Sequence, residues 1–342
     1  MHINPHRIPL RYWILMSVFL FCWNAASPIE ANQGMDIRQA VYLIESGKPS
    51  EAIELLSRMI DENDQRLDTY TIRGAAYYEM GGFTKAIQDF TRAIELNSRC
   101  AKCYYARCRA YERLNDLQKA YEDISQAIKI EPKASELYFK RGWIALMKNP
   151  SSGESVEDIS KAMELDPDQT LRGLRARGMA FEFSGNYNSA LKDYMEIERL
   201  GQADTNLYFK IASLSRFTQN KSQEVLYFEK GMASFAKAET AGRTEVAHYI
   251  DIGQHFQNEE EDIEKALEYY KRGLRHYPED AMLHILIAKA YAAKGDKPNA
   301  LTHIEKAKAI HISAVEFIRS VINDSAWDSI RDTDEFKDLL DL

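Results

Sequence analysis

The chain has 342 residues, of which 45% are hydrophobic and 28% are charged, and its formal net charge is −8. This apolar content supplies ample material for a folded core. The mild acidity argues against a general affinity for nucleic acids, because such affinity needs a clustered basic surface that displaces counterions from phosphates.

The N-terminal segment 1–33 differs in character from the rest of the chain. A basic start that ends at Arg11 is followed by a nearly all-apolar run, 12–23, and then by small residues at 24–27. This order is typical of a secretory signal peptide, and we expect cleavage after Ala26. The apolar run is too short to cross a bilayer comfortably, because a spanning helix takes about 20 residues. An uncleaved inner-membrane anchor is the alternative. The segment therefore predicts an exported protein, periplasmic, bound to the cell envelope or secreted.

From Asp36 onward, apolar residues return every three or four positions, and this period predicts α-helices. The breaker Gly47-Lys48-Pro49-Ser50 separates two such patterns, which we interpret as short helices within 37–44 and 52–60. Two short helices joined by a tight turn form one antiparallel hairpin.

A sequence repeat of 34 residues then occurs twice, in 67–100 and 101–134. The alignment pairs Tyr70 with Tyr104, Arg73 with Arg107, Gly74 with Cys108, Tyr77 with Tyr111, Ala86 with Ala120, Phe90 with Ile124, Ala93 with Ala127 and Ile94 with Ile128. Self-similarity at a fixed period is the mark of a stacked-repeat protein. The first copy predicts a helix over 70–80, a turn at Gly81-Gly82 and a second helix over 84–96.

The motifs Tyr70-x-x-Arg73-Gly74-x-x-Tyr77 and Ala86-x-x-x-Phe90-x-x-Ala93-Ile94 resemble those of the tetratricopeptide repeat family. Ile130-Glu131-Pro132 and Leu165-Asp166-Pro167 close later units in the same way, and the resemblance extends from Asp36 to about Ile312. It implies an all-α fold, a right-handed α-solenoid of about eight helix-turn-helix repeats with a C-terminal capping helix.

The repeat pattern is weakest in 205–236, where Glu224 occupies a position that is small in other copies. The polar stretch 237–244 follows, and we interpret it as a joint between two subarrays. We therefore predict four segments: a signal peptide or anchor in 1–33, a first subarray in 34–236, a second subarray in 237–312 and a capping segment in 313–342.

Four cysteines are present, Cys22 in the predicted signal and Cys100, Cys103 and Cys108 in the doubled block. In an exported protein the spacing Cys100-x-x-Cys103 permits a small disulfide. Cys108 stands where the preceding copy has Gly74, which indicates a small packing residue. A zinc site would need a fourth ligand, and no histidine lies within about twenty residues of the three cysteines.

The sequence carries no phosphate-binding loop, nucleophile elbow or zinc-binding His-Glu-x-x-His helix. The histidines beyond the predicted signal lie in 248–311, and their spacing indicates surface or capping roles. We expect no catalytic residue, no cofactor and no metal.

In the tetratricopeptide family the first helix of each hairpin lines a concave groove. The resemblance places in this groove Tyr105, Arg109, Arg113, Phe139, Trp143, Met147, Arg172, Arg175, Phe183, Phe209 and Arg216. Aromatic rings and arginines are enriched at binding hot spots, so the expected ligand is a peptide with apolar and acidic side chains. The alternative is that several of these rings only pack between adjacent first helices.

We therefore predict a non-enzymatic scaffold of the cell envelope that binds a protein or peptide partner and no nucleic acid. It would contact a membrane only through an uncleaved N-terminal anchor. Two alternatives stay open. The repeats could be the accessory part of an envelope enzyme complex, or the chain could be a homo-oligomeric structural protein joined through 205–244.

Overall fold

A computed structural model describes residues 28–62, 65–311 and 313–340 of the chain. The described residues form 18 α-helices and two short 3-10 turns, and they contain no β-strand. Most of the predicted signal segment lies outside them. Within the described ranges, no helix combines the length and the apolar character needed to cross a membrane.

The helices divide between two compact units, which meet in the sequence between Arg199 and Leu200. Unit 1 contains α1 Pro28–Glu45, α2 Pro49–Asp61, α3 Leu67–Glu79, α4 Phe83–Leu96, α5 Ala101–Arg113, α6 Leu117–Ile130, α7 Ser135–Lys148, α8 Glu154–Leu165, α9 Thr170–Phe183 and α10 Tyr187–Arg199. Unit 2 contains α11 Thr205–Phe217, α12 Lys221–Thr240, α13 Val246–Asn258, α14 Ile263–His276, α15 Ala281–Ala293, α16 Lys297–Ile310, α17 Ser313–Ser320 and α18 Asp334–Leu339.

Consecutive helices pair into antiparallel hairpins, five in the described part of unit 1 and three in that of unit 2. The predicted all-α fold of about eight helix-turn-helix repeats is confirmed. The polar stretch that we interpreted as a joint, 237–244, begins inside helix α12 and continues through the turn before α13.

Local sequence sets the ends of the helices. Several hairpin turns place one residue in the left-handed region, with φ values of 78° at Gly81, 74° at Gly185 and 59° at Asn115. Glycine and asparagine tolerate this region best. Aspartates then accept a hydrogen bond from the main-chain N–H three residues later and so cap the following helix, at Asp116, Asp204, Asp262, Asp280 and Asp296.

Within several hairpins, a small residue on the first helix faces a larger one on the second. A Cβ atom added at Gly253 would lie 2.2 Å from the ring of Tyr270, and one added at Gly178 would lie 2.5 Å from the ring of Tyr194. Where the facing residue is the smaller Ile124, the first helix carries Cys108, which is fully buried. The predicted packing role of Cys108 therefore agrees with its surroundings.

The C-terminal segment covers the last hairpin of unit 2. Trp327, Phe336 and Leu340 are fully buried in one cluster with residues of α15 and α16. A repeat array needs such a closing element because its last hairpin has no following repeat to cover its apolar face.

Candidate functional site

The first helices α5, α7 and α9 of unit 1 carry most of the residues predicted to line a groove. An Nη1 atom of Arg172 on α9 lies 2.7 Å from Glu136 on α7, and its guanidinium lies 3.6 Å from the ring centre of Phe139. Lys140 on α7 pairs in turn with Glu112 on α5, at 3.3 Å. Corresponding positions of successive first helices are therefore neighbours. We call this side of α5, α7 and α9 the first-helix face.

The predicted groove arginines already have partners inside unit 1. The guanidinium of Arg109 lies 5.0 Å from the ring centre of Tyr78, and that of Arg113 lies 4.7 Å from the ring centre of Phe83. Arg172 is held by Glu136 and Phe139, and Arg175 also has an interaction partner. These cation–π and ionic contacts stabilise the face and reduce the positive charge that it offers to an acidic ligand.

Apolar side chains are exposed near the C-terminal ends of α7 and α9. The exposed fractions are 50% for Met147, 36% for Met179 and 60% for Phe183, while Trp143 is half-buried. Because Glu136 and Arg172 fix the register of the two helices, Met147 lies level with Phe183 and Trp143 with Met179. We call these four residues the apolar row.

A cavity of about 400 Å³ lies between the N-terminal ends of α5 and α7. Its apolar walls come from Ala101, Tyr105, Ala106, Ala134, Leu137 and Leu165, and its charged rim from Lys102, Glu131, Lys133, Glu136 and Asp166. Tyr105 is the predicted groove residue that lines it. Burial raises the pKa of the Tyr105 phenol, so this group stays neutral and can donate one hydrogen bond at physiological pH.

The two cysteines of the Cys-x-x-Cys spacing lie at the start of α5, beside this cavity. Their Sγ atoms are 2.06 Å apart, and the two residues between them, Ala101 and Lys102, both line the cavity. Cys100 occupies the N-cap position of the helix, whereas Cys103 is fully buried. Cys108 is a free thiol whose pKa is raised by burial. In the described part of the chain, no cluster of three metal-ligating side chains occurs.

The two predicted groove residues of unit 2 behave differently from those of unit 1. Phe209 is a core residue, only 4% exposed, because Gly231 on α12 leaves space for its ring: a Cβ at Gly231 would lie 2.6 Å from it. Arg216 pairs with Glu259 at 2.6 Å beside a small cavity of about 60 Å³. A ring that is buried to this extent has little surface for a ligand to contact. The burial of Phe209 therefore argues against its predicted place in the groove.

Four ion pairs of unit 1 that contain a buried aspartate were not predicted from the sequence. Each joins an arginine on the first helix of a hairpin to an aspartate on the second at 2.7 to 2.8 Å, namely Arg73 to Asp89, Arg107 to Asp123, Arg141 to Asp158 and Arg177 to Asp193. Three of these arginines also donate to a hydroxyl of the preceding hairpin, on Ser57, Thr91 and Ser160. The signal was available, since these arginines and aspartates recur at a separation of 16 or 17 residues.

Comparison with known proteins shows what this architecture resembles. A tetratricopeptide repeat family model matches residues 73–135 and 259–314. No curated protein sequence matches the chain. A tetratricopeptide repeat protein from Parabacteroides merdae has 19% identity and a TM-score of 0.52, over 70% of this chain and 91% of its own.

A second solved structure is the C-terminal part of a repeat protein of the same kind from Cytophaga hutchinsonii. It has 16% identity and a TM-score of 0.53, over 86% of this chain and 99% of its own. At such identities the likeness concerns the fold alone. The family model matches one segment in each unit, and helical hairpins continue between them, so both units contain sequence that is similar to tetratricopeptide repeats.

Proposed function

We propose that this protein is an interaction scaffold whose first-helix face in unit 1 binds a peptide segment of a protein partner. Tetratricopeptide repeats serve, as a class, as scaffolds for protein–protein interaction. The observation that carries the proposal is the cavity of about 400 Å³ between α5 and α7. Ligand pockets in proteins typically measure about 300–1,000 Å³ and combine apolar walls with a few polar groups, as this one does.

The cavity suits a large apolar side chain of the partner. Alanines 101, 106 and 134 leave the space open, and Leu137 and Leu165 supply apolar contact. The neutral phenol of Tyr105 offers a hydrogen bond inside an otherwise apolar wall. Lysines and carboxylates alternate on the rim, where they can contact the main chain of a bound peptide.

The apolar row supplies a second area of contact on the same face. Exposed methionine and phenylalanine side chains are over-represented at binding surfaces, and methionine adapts to ligands of different shape. The stacked arginines between the cavity and the row hold the face rigid before binding, which lowers the entropy that a partner must remove.

We propose that the protein acts by recognition rather than as an enzyme. Its histidines beyond the predicted signal all lie in 248–311, so the described part of unit 1 places none beside Tyr105 or the cavity. General acid–base and nucleophilic catalysis most often rely on such a side chain. Binding is therefore the function that the first-helix face supports best.

We also propose that the chain is exported to the cell envelope. The support is the basic, apolar and small-residue order of 1–27. N-terminal sequencing of the protein recovered from a periplasmic fraction should find Ser27 as the first residue. An intact Met1 would contradict export by cleavage.

A selection from a random peptide library tests the binding site. We expect enriched peptides to share one large apolar residue, and filling the cavity with Ala134→Trp to lower their affinity at least about tenfold, because the side chain and the ligand would occupy the same space. Ala203→Trp is the matched control, since Ala203 is also half-buried, precedes the first helix of another hairpin and lies outside the cavity. Equal affinity in a folded Ala134→Trp protein would contradict the proposal.

A further inference from the structure

The Cys100–Cys103 pair combines an accessible sulfur with a protected one. Cys100 is half-buried at the N-cap of α5, while Cys103 is fully buried one turn into the helix. A thiol partner can therefore reach Cys100 but not Cys103. This division of access is what ordered thiol–disulfide exchange requires, because one sulfur must receive the attack and the other must leave.

The surroundings of Cys100 favour its thiolate when the pair is reduced. The main-chain N–H of Cys103 donates to the Cys100 Sγ atom at 3.2 Å, and the helix N-terminus adds a partial positive charge. Arg99 and Lys102, the sequence neighbours of Cys100, carry cationic side chains. Helix N-termini and nearby cations are the features that activate a cysteine as a nucleophile.

The buried site of Cys103 is ready to receive a proton on reduction. The Thr71 Oγ1 atom lies 3.8 Å from the Cys103 Sγ atom, and the Thr71 hydroxyl already donates its proton to the carbonyl of Leu67 at 2.8 Å. Its oxygen is therefore an acceptor toward Cys103. A reduced Cys103 thiol can donate to it, so the neutral thiol finds a partner inside the fold.

We propose that Cys100 and Cys103 are a reversible dithiol–disulfide pair that exchanges with a cysteine pair of the partner held in the adjacent cavity. The placement of that partner rests on the proposed function, whereas the reactivity of Cys100 does not. The link between the two is structural, because Ala101 and Lys102, which separate the cysteines, also line the cavity.

The exchange balances without any further reactant. A thiolate of the partner attacks the Cys100 sulfur, the bond between Cys100 and Cys103 breaks, and Cys103 leaves with the electron pair and takes up a proton. A second partner thiolate then attacks the partner sulfur of the mixed disulfide and releases Cys100 as a thiolate. In total the partner dithiol loses two electrons and two protons and becomes a disulfide, while Cys100 and Cys103 become a dithiol. The reverse sequence reduces a partner disulfide.

The test uses glutathione as the first probe, in full chains that all carry Cys22→Ser. The reduced Cys103→Ser protein should form one mixed disulfide with oxidised glutathione at Cys100, at least about tenfold faster at pH 7 than the same protein unfolded in urea, because only the folded chain presents the activated thiolate. Folded Cys100→Ser should form no adduct at Cys103. Cys108→Ala is the matched control, since alanine occupies the same repeat position at Ala288, and it should behave as the parent chain.

Two outcomes overturn the proposal. One is a Cys100 thiol that reacts no faster in the folded than in the unfolded chain. The other is a parent chain whose cysteine pair does not interconvert reversibly between disulfide and dithiol in glutathione buffers. The two states are distinguished by the change in mass after alkylation. The second measurement needs no substitution at Cys100 or Cys103, so it decides the question even where Cys103→Ser does not fold.

A library-selected peptide with two cysteines separates this proposal from the proposed function. We expect Cys103→Ser to trap that peptide as a mixed disulfide, and added Ala134→Trp to reduce trapping at least about tenfold. Added Ala203→Trp, which lies outside the cavity, should change neither the trapping nor the glutathione reaction. Loss of the glutathione reaction while peptides still bind refutes only the exchange. If Ala134→Trp leaves the amount of trapped peptide unchanged, the cavity is refuted as the binding site.

Discussion

Each buried ion pair of unit 1 joins the two helices of one hairpin at a position where unit 2 has apolar or aromatic residues. Arg107 and Asp123 correspond in the repeat to Ile252 and Tyr269 of unit 2. The pKa of Arg107 is raised by its hydrogen bond to Asp123, yet burial also raises the pKa of Asp123. The cost of burying the carboxylate thus offsets much of the attraction, so the pair fixes geometry more than it adds stability.

A double replacement separates these two effects. Arg107→Ile alone should lower the free energy of unfolding by about 3 kcal/mol, because it leaves the Asp123 carboxylate buried without its partner. Adding Asp123→Tyr, which reproduces the pair of unit 2, should restore most of the loss. Urea titration followed by circular dichroism gives both values. The exposed pair of Arg92 and Glu95 is the control, and Arg92→Ala should leave the urea midpoint almost unchanged. A double variant no more stable than Arg107→Ile would contradict the argument.

At the scale of helices, the fit of each hairpin depends on one small residue opposite one large one. Gly253 meets Tyr270, whereas Cys108 meets Ile124 and Ala288 meets Ile304. The larger residue on one helix is matched by a smaller residue on the other, so the distance between the two helices stays suited to close packing.

The combination of Cys108 and Ile124 can be transferred to the hairpin that carries Gly253 and Tyr270. This transfer should show that the two positions of a hairpin depend on each other. Gly253→Cys should destabilise the protein by about 1–3 kcal/mol, since its Cβ would lie 2.2 Å from a fully buried ring. Adding Tyr270→Ile, which reproduces Cys108 and Ile124, should recover part of this loss. Thermal unfolding of the two variants and of Tyr270→Ile alone completes the cycle. Strictly additive losses would show that the two positions are independent.

The helices were predictable from the sequence, because the apolar period and the turn residues are local signals. The predicted helices over 70–80 and 84–96 correspond to α3 Leu67–Glu79 and α4 Phe83–Leu96. The binding face was predictable only in outline. Whether Arg172 points to a ligand or stacks on Phe139 depends on the distance between two helices 36 residues apart in the sequence, which no local pattern encodes. The cavity is the space that small lining residues leave unfilled, and no sequence motif predicts such a space.

At the scale of the whole molecule, the two units differ in their titratable side chains. All histidines beyond the predicted signal lie in unit 2, and the Nδ1 atoms of His284 and His303 are 2.9 Å apart. Burial lowers the pKa of both imidazoles, to about 4 for His303, where His284, Lys306 and Lys271 add to the effect. One ring donates and the other accepts, so the contact requires the accepting imidazole to be uncharged.

Acidification should therefore weaken unit 2 through this histidine pair. The folded-state pKa lies below the unfolded value of about 6.5, so the unfolded chain takes up the proton first. The stabilisation is present above about pH 6.5 and is lost as the pH falls toward 4. Chains that begin at Ser27 and carry Trp143→Phe retain Trp327 as their one tryptophan. The fluorescence of Trp327 in such chains should show a lower urea midpoint at pH 4.5 than at pH 7.5.

A variant with the residues of the preceding hairpin provides the control. Tyr249 and Tyr269 occupy the positions that correspond to His284 and His303. His284→Tyr/His303→Tyr should lose less stability between pH 7.5 and 4.5 than the parent chain. The same fall in both proteins would assign the acid sensitivity to other groups, such as His248, His255 or the carboxylates.

Three of the four arginines of these ion pairs donate to the preceding hairpin, so neighbouring repeats of unit 1 share one polar contact. Arg107 donates to Thr91, while the Oγ atom of Ser125, the corresponding residue one hairpin later, is buried without a hydrogen-bond partner among the described residues. Deletion of the block 101–134 would bring Arg141 to the position of Arg107, so that it faces the hydroxyl of Thr91. Loss of one such block from unit 1 would therefore keep both the donor and the acceptor of this contact between neighbouring hairpins.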